Sequence, residues 1–293
     1  MKIVSFTLEQ GNKYYGKIDG QRFHIGNRVP YEGNKGLMNI TGTPQQRYDR
    51  ATYRSQFGFW ADFIQPTAVA EGGLFHTLNT YDRAQFTFSF LQFAAHVPNG
   101  DFVKYLRQLL SLPLAKDYFP DLTLHNDRIC RITDIGNEPL ESDISTDKLL
   151  DYLNPSTREV EDTEIIQAAK FVHWAQNDPA NRQIQVAMGV SHFKEKMIGY
   201  ARQYKLDGVE DSVCVLVADI RHQGRARSPA IAAALQSARP LDELLKIGEP
   251  KYHERLSTLR REIKALTHEG TLGKHRYSLS RETFVSNGSN LPV

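Results

Sequence analysis

Cysteine is scarce in this chain, which has only two among 293 residues, Cys130 and Cys214. Two cysteines form at most one bridge, so the fold cannot depend on a disulfide framework. Cys214 lies in an apolar run, which favours a buried and unreactive thiol. The sequence also lacks an apolar run of about 18 residues, the length that predicts a transmembrane helix. Its N-terminus has too short an apolar stretch for a signal peptide. We therefore expect synthesis in the cytoplasm and no membrane span.

An excess of one charge sign is also missing, because 36 Lys and Arg residues nearly balance 34 Asp and Glu residues. This balance argues against a dedicated nucleic-acid-binding protein, which usually concentrates basic residues on one face. Three catalytic patterns are absent as well: the Gly-x-Ser-x-Gly nucleophile elbow, the Gly-rich nucleotide loop and the His-Glu-x-x-His zinc motif. We expect neither a metal ion nor an organic cofactor.

The first 42 residues predict a small β-rich appendage at the N-terminus. Residues 3–8 are a strand candidate, and two further strand candidates flank Asp19-Gly20, a dipeptide that strongly favours a hairpin turn. A hairpin is only marginally stable alone, so it must pack on another part of the chain. We place a boundary near residues 40–45 and expect residues 43–293 to form one compact domain.

The start of that domain predicts a helix followed by a hairpin. Thr43 and Pro44 suit the N-cap and the first position of a helix over 44–70. The helix ends at Glu71, which two glycines follow. Aromatic and threonine residues then predict a short hairpin over 74–88.

The rest of the chain is mainly helical in pattern. Helices are expected over 90–95, 100–112, 146–153, 163–176, 180–205, 210–222, 227–236, 240–246 and 250–268. Loops are expected over 116–145 and after residue 270. The predicted fold class is therefore α+β, predominantly helical.

Glu71 is the first candidate for chemistry. A carboxylic acid that donates a proton near neutral pH must be partly shielded from water, because desolvation disfavours the charged form. Glu71 follows an apolar helix, and Gly72 and Gly73 leave room for a ligand beside it. The alternative interpretation is an exposed glutamate that merely ends a helix.

Asp82 is a second carboxylate, eleven residues after Glu71 on the predicted hairpin. Two carboxylates across a cleft are typical of an inverting glycosidase, in which one protonates the leaving oxygen and the other activates water. The alternatives for Asp82 are a turn residue or an ion-pair partner of Arg83.

Three segments in this order resemble the lysozyme-like superfamily, which includes goose-type lysozymes, lytic transglycosylases and chitosanases. They are the helix ending in Glu71-Gly-Gly, the segment NTYDRA from Asn79 and the segment FSFLQF from Phe88. Members place a catalytic glutamate at a helix end, followed by a polar β-hairpin and a Gly-Leu-Met-Gln type of turn into the next helix. The resemblance covers residues 45–110, and the turn here is bulkier.

The resemblance implies a lysozyme-like fold, with the hairpin at the active site. It also implies hydrolysis of the β-1,4 bond between N-acetylmuramic acid and N-acetylglucosamine in peptidoglycan. Glu71 would protonate the leaving oxygen, and Asp82 or a water held by hairpin hydroxyls would act on the other face. The expected substrate contacts are Asn79, Thr80, Tyr81, Thr87, Ser89, Gln92, Asp219 and His222. The last two lie at i and i+3 of a helix, on the face that lines the cleft floor in this superfamily.

Other functions remain open at this stage. A lytic transglycosylase, in which Glu71 acts alone, and a chitosanase are the enzymatic alternatives, and a non-catalytic glycan-binding module is the alternative of another class. The chain also resembles antibacterial muramidase domains delivered by type VI secretion. That resemblance implies action in the periplasm or cell wall of a target bacterium, with an immunity or inhibitor protein as partner.

A helix bearing Arg255, Arg260, Arg261 and Lys264 predicts either a solvated basic face or one that attracts anionic cell-wall polymers.

Overall fold

The computed structural model describes residues 1–40 and 46–288. These residues form an α+β protein, as the sequence predicts. The chain forms two compact units, and each combines two separate stretches. Unit 1 comprises residues 1–47 and 72–188, and unit 2 comprises residues 48–71 and 189–293.

Strands and helices alternate in groups along the chain. The strands are β1 (Ser5–Glu9), β2 (Lys13–Ile18), β3 (Gln21–Tyr31), β4 (Asn34–Asn39), β5 (Leu78–Asn79), β6 (Thr87–Phe88), β7 (Phe93–Ala94), β8 (Leu122–His125), β9 (Arg128–Thr133), β10 (Gly136–Pro139), β11 (His275–Ser278) and β12 (Thr283–Ser286). The helices are α1 (Arg50–Phe57), α2 (Phe59–Ala70), α3 (Asp101–Leu109), α4 (Ala115–Tyr118), α5 (Asp147–Leu153), α6 (Asp162–Asn177), α7 (Pro179–Tyr204), α8 (Asp211–Gln223), α9 (Ser228–Leu235), α10 (Pro240–Leu244) and α11 (His253–His268).

Unit 1 is built on an antiparallel sheet in which β1 to β7 pair in sequence order. The predicted hairpin at Asp19-Gly20 is confirmed, because β2 and β3 pair on either side of it. The sheet does not stop at the predicted boundary. Met38 and Asn39 of β4 pair with β5, far along the chain, so the N-terminal strands are part of a larger sheet rather than a separate appendage. The boundary at residue 42 itself lies outside the described residues.

The core of unit 1 is aromatic. Phe171 of α6 contacts the rings of Phe86, Phe88, Phe102 and Tyr105. The aromatic residues of the 75–93 segment are therefore mostly core, and Phe86 and Phe88 are fully buried.

Two sequence predictions in unit 1 are wrong. Residues 90–95 do not form a helix. Ser89 and Gln92 have positive φ values of 95° and 55°, so the chain turns there and enters β7. Residues 116–145 are not mainly loop, because β8, β9 and β10 form an antiparallel sheet there. These strands have only four to six residues each, which is too short for their apolar pattern to stand out from that of a loop.

A buried carboxyl connects the sheet of unit 1 to α6. The side chain of Glu164 accepts hydrogen bonds from the backbone N–H of Leu37, at 3.1 Å, and from the Thr80 hydroxyl. Glu164 is fully buried, and burial raises its pKa to about 7.

Unit 2 is mainly helical, with α2, α8 and α11 packed together. The single helix predicted over 44–70 is two helices, because Gly58 breaks it with a φ of 56°. The Thr43 cap and Pro44 lie outside the described residues.

The predicted helices from residue 146 onward are confirmed in both units, with α5 to α11 close to their expected bounds.

The segment after residue 270 forms a hairpin, β11–β12, where a loop was expected. Asp211 at the start of α8 fixes it. The Asp211 carboxylate accepts hydrogen bonds from the N–H groups of Gly273, at 2.7 Å, and His275, at 3.1 Å. Phe284 of β12 then packs against Trp60 and Phe63 of α2. The long-range nature of these contacts explains why local sequence patterns do not reveal the hairpin.

Candidate active site

Glu71 caps the C-terminus of α2, as the sequence predicts. Its backbone N–H donates to the carbonyl of Thr67 at 3.0 Å, which closes the last turn. Gly72 and Gly73 follow with φ values of 91° and 69°. This backbone region suits glycine, so the chain reverses immediately after the glutamate. The nearly all-buried helix α2 thus gives Glu71 a rigid support.

The Glu71 carboxylate is sheltered and ion-paired within unit 2. Only 11% of its side chain is exposed. Arg255 Nη1 of α11 donates to Glu71 Oε1 at 2.6 Å, and His222 Nε2 of α8 lies 3.9 Å from the same oxygen. The first contact is a charge-assisted hydrogen bond, whereas the second exceeds hydrogen-bond distance. In this arrangement the Glu71 side chain is the hydrogen-bonded partner of an arginine.

Asp219 of α8 holds that arginine in place. Its side chain is fully buried, and Arg255 donates to it from Nη2 at 2.7 Å and from Nε at 3.4 Å. Arg225 Nη1 donates to Asp219 Oδ2 at 2.5 Å, and Arg225 Nε donates to the carbonyl of Ile247 at 3.1 Å. Burial opposes ionisation of Asp219, but Arg255 and Arg225 together lower its pKa below its usual range. Asp219 therefore stays charged and orients Arg255.

His222 lies beside this network and is neutral at neutral pH. Burial lowers its pKa, although the nearby Glu71 carboxylate acts in the opposite direction. Its ring packs near Phe193 and His192, at centroid separations of 5.5 and 5.8 Å. A neutral imidazole offers one donor and one acceptor, so His222 can hydrogen-bond to a neutral polar ligand.

Three sequence interpretations of this region need correction. The apolar helix end was expected to shelter a protonated Glu71, but its carboxylate instead faces a guanidinium. Arg255 was read as part of a basic stripe, yet only 10% of its side chain is exposed and it serves two carboxylates. Asp219 was expected to contact substrate, but its oxygens are buried and engaged by arginines, so its role is to position Arg255.

The loop after β5, in unit 1, contains the second predicted carboxylate. Asp82 Oδ2 accepts a hydrogen bond from Asn79 Nδ2 at 3.0 Å, and Asp82 Oδ1 accepts from the N–H of Ala84 at 2.8 Å. Asn79 Oδ1 in turn accepts from the N–H of Tyr81 at 3.2 Å. Both side chains shape the turn, and both residues are partly exposed. Asp82 is therefore a turn residue whose carboxylate still reaches the surface.

The structure divides the other predicted contacts between surface and interior. Tyr81 and Gln92 are partly exposed. Thr80, Thr87 and Ser89 are buried, with exposures of 0%, 6% and 0%, and the Thr80 hydroxyl is already engaged by Glu164. These three residues cannot reach a ligand from those positions. Hydroxyl and aromatic residues alternate in this segment. The pairing of β5 to β7 buries both kinds of side chain.

Arg225 and Arg255 are the site residues that sequence reasoning missed. Arg225 follows Asp219 and His222 at a further spacing of three, a regular pattern that could have identified it. Arg255 is 184 residues from Glu71, and no local pattern links the two.

No group of three or more His, Cys, Asp or Glu residues in 1–40 and 46–288 is arranged to hold a metal ion. Within the same residues, no helix is both long and apolar enough to cross a membrane. Comparison with known protein families, with curated proteins and with solved structures finds no match to this chain.

Proposed function

We propose that this protein is a peptidoglycan hydrolase that cleaves the β-1,4 bond between N-acetylmuramic acid and N-acetylglucosamine, with Glu71 as the proton donor. The supporting observation is the position of Glu71: a sheltered glutamate that ends a buried helix, directly before two glycines with positive φ and the strands β5 to β7. The glutamate at a helix end, followed by short paired strands, is the part of this order that the resemblance to lysozyme-like enzymes implies; the turn after them leads into β7 and not directly into a helix.

The ion pair with Arg255 defines what must happen before proton transfer. A carboxylate paired with a guanidinium is an acceptor, so Glu71 must first take up a proton from solvent water as substrate enters. Arg255 stays in place when it releases Glu71, because Asp219 keeps two contacts with the same guanidinium. In the proposed cycle, the sugar displaces water and Arg255 from Glu71. The neutral acid then donates its proton to the leaving oxygen.

Asp82, in unit 1, stays the proposed second carboxylate of the reaction. Asn79 and the N–H of Ala84 orient its carboxylate, and it keeps further acceptor positions toward solvent. If Asp82 plays no part, Glu71 acts first as acid and then as base, as in a lytic transglycosylase. The product of that reaction is an anhydro sugar, lighter than the hydrolysis product by one water.

A non-catalytic glycan-binding module is the second candidate, and the Glu71–Arg255 ion pair is the observation that favours it. A glutamate locked to arginine supports structure and binding without donating a proton. A chitosanase would use the same carboxylate on a different polysaccharide substrate.

Clearing of a purified peptidoglycan suspension tests the proposal, with wild type and Glu71→Gln compared. Glu262→Gln is the matched control, because Glu262 is another partly buried glutamate of unit 2. We expect Glu71→Gln to lose at least about 10²-fold in rate, the low end for general acid catalysis, and the control to remain near wild type. Activity that survives Glu71→Gln would remove Glu71 from the mechanism. Binding to the suspension without clearing by wild type would favour the binding module.

A further inference from the structure

Tyr31 ends β3 at a tight turn in unit 1. It pairs with Asn34 at the start of β4, and the connecting residues Glu32 and Gly33 have φ values of 47° and 85°. Two successive positive φ values are typical of a two-residue hairpin. The Thr157 hydroxyl donates to Asn34 Oδ1 at 3.4 Å, and Lys35 donates its N–H to the carbonyl of Thr157 at 2.7 Å. The hairpin end that carries Tyr31 is therefore fixed.

Tyr81 is held beside it by backbone packing. Gly36 of β4 lies so close to the loop after β5 that an added Cβ would be 2.7 Å from the Tyr81 nitrogen. The N–H of Leu37 also donates to the Thr80 hydroxyl oxygen at 2.6 Å. These contacts place Tyr81 and its neighbour Asp82 directly next to β3 and β4.

The two tyrosine rings form an exposed aromatic pair. Their centroids are 5.2 Å apart and their planes are inclined by 44°. Tyr31 is 46% exposed, and Tyr81 is partly exposed. Nearly half of the Tyr31 surface is therefore accessible to a ligand. Exposing that much aromatic surface costs free energy, so an occupant of matching chemistry would gain by covering it.

We propose that the Tyr31–Tyr81 pair is a binding subsite for a pyranose ring of a glycan strand. A sugar ring has an apolar face that stacks on an aromatic ring and hydroxyl groups around its edge. Asn79 and Asp82, two residues before and one residue after Tyr81, carry amide and carboxylate groups that hydrogen bonds hold in place. An exposed aromatic pair with oriented polar groups so near it in the chain suits a sugar better than a purely apolar partner. The identity of the glycan rests on the proposed function, whereas the stacking chemistry does not.

Calorimetric titration with tetra-N-acetylchitotetraose tests this subsite in the full-length Glu71→Gln protein, in which turnover is removed. Tyr31→Ala should weaken binding about three- to ten-fold, the range that corresponds to one aromatic stacking contact. Tyr31→Phe keeps the ring and should bind like the parent. Tyr15→Ala, which removes a partly exposed ring on β2 of the same sheet, should also leave the affinity unchanged. Thermal unfolding of each variant verifies that the fold is retained, and saturation transfer from the Tyr31 ring to the sugar gives a second measurement.

The outcomes separate this inference from the proposed function. Unchanged affinity in Tyr31→Ala, or no binding of the tetrasaccharide by the parent, overturns the subsite. If wild type clears peptidoglycan while Tyr31→Ala binds normally, only the subsite is wrong. If the tetrasaccharide binds through Tyr31 but wild type clears nothing, the subsite stands and the hydrolase proposal fails.

Discussion

Asp219 is the residue on which the charge balance of the Glu71 network depends. Its fully buried carboxylate faces Arg225, also fully buried, and the nearly buried Arg255. These three groups carry a net charge of +1, and the carboxylate of Glu71 supplies the fourth charge that balances it. The network therefore behaves as one unit, in which the loss of a single member leaves an unpaired charge.

We expect Asp219→Asn to lower the free energy of unfolding by about 3 to 5 kcal/mol, the usual cost of removing one partner from a buried ion pair. The substitution keeps the shape of the side chain but leaves Arg225 without its counter-charge. Urea titration measures the effect, and Asp242→Asn, on the partly exposed start of α10, is the control. A change below about 1 kcal/mol would contradict the proposed anchoring role.

Burial has opposite effects on the two kinds of titrating group in unit 1. It raises the pKa of Glu164 to about 7, because the ionised carboxylate is deprived of water. It lowers the pKa values of His76 and His173 to about 4, because their charged forms are equally disfavoured. Glu164 thus binds its proton more tightly in the folded state, and the two histidines bind theirs less tightly.

These shifts predict how stability changes with pH. The contribution of Glu164 is fully present below about pH 4.5 and is lost as the pH rises through about 7. Relative to Glu164→Gln, wild type should lose on the order of 3 kcal/mol of unfolding free energy across that interval. The histidines act in both proteins, so their effect cancels in the difference. Urea titrations at several pH values measure it, and a pH-independent difference between the two proteins would refute the assignment.

At the scale of elements, β4 packs very closely against the loop after β5 in unit 1. An added Cβ at Gly36 would lie within 2.6 to 2.8 Å of Thr80 and Tyr81 atoms, two of them backbone. Backbone cannot give way as a flexible side chain can, so the strand and the loop must separate.

Gly36→Ala should therefore destabilise the protein by about 1 to 3 kcal/mol, the range for overpacking. Gly199→Ala is a control with the opposite sign. Gly199 is an exposed position of α7 with nothing within 4 Å of an added Cβ, so alanine should stabilise that helix by up to about 1 kcal/mol. Thermal unfolding of both variants measures the contrast, and equal shifts would contradict the packing argument.

Elements that form from neighbouring residues could be predicted, and elements that form from distant residues could not. The Asp19-Gly20 hairpin and the helices after residue 146 follow from turn chemistry and apolar periodicity, which are local. The β11–β12 hairpin depends on Asp211, and the connection of β4 to β5 depends on strands far apart in the chain. The same division applies to the site. Glu71 stands out by its position before two glycines. Arg255, which forms an ion pair with Glu71, belongs to a helix that no local pattern associates with the glutamate.

At the scale of the whole molecule, Glu71 and Asp82 belong to different compact units, and each unit is assembled from two stretches of chain. A linear division into an N-terminal appendage and a catalytic domain therefore does not describe the protein. Residues 48–71 form α1 and α2 within unit 2, and the chain enters unit 1 directly after Glu71. The proposed acid thus lies at the residue where the chain passes from one unit to the other.

Mass spectrometry of the soluble fragments released from purified peptidoglycan tests the central proposal most directly. We predict that wild type releases disaccharide-peptides with a reducing N-acetylmuramic acid end and that Glu71→Gln releases at least about 10²-fold less in the same time. No fragments from wild type, or the same fragments at the same rate from Glu71→Gln, would contradict the assignment of Glu71 as the proton donor.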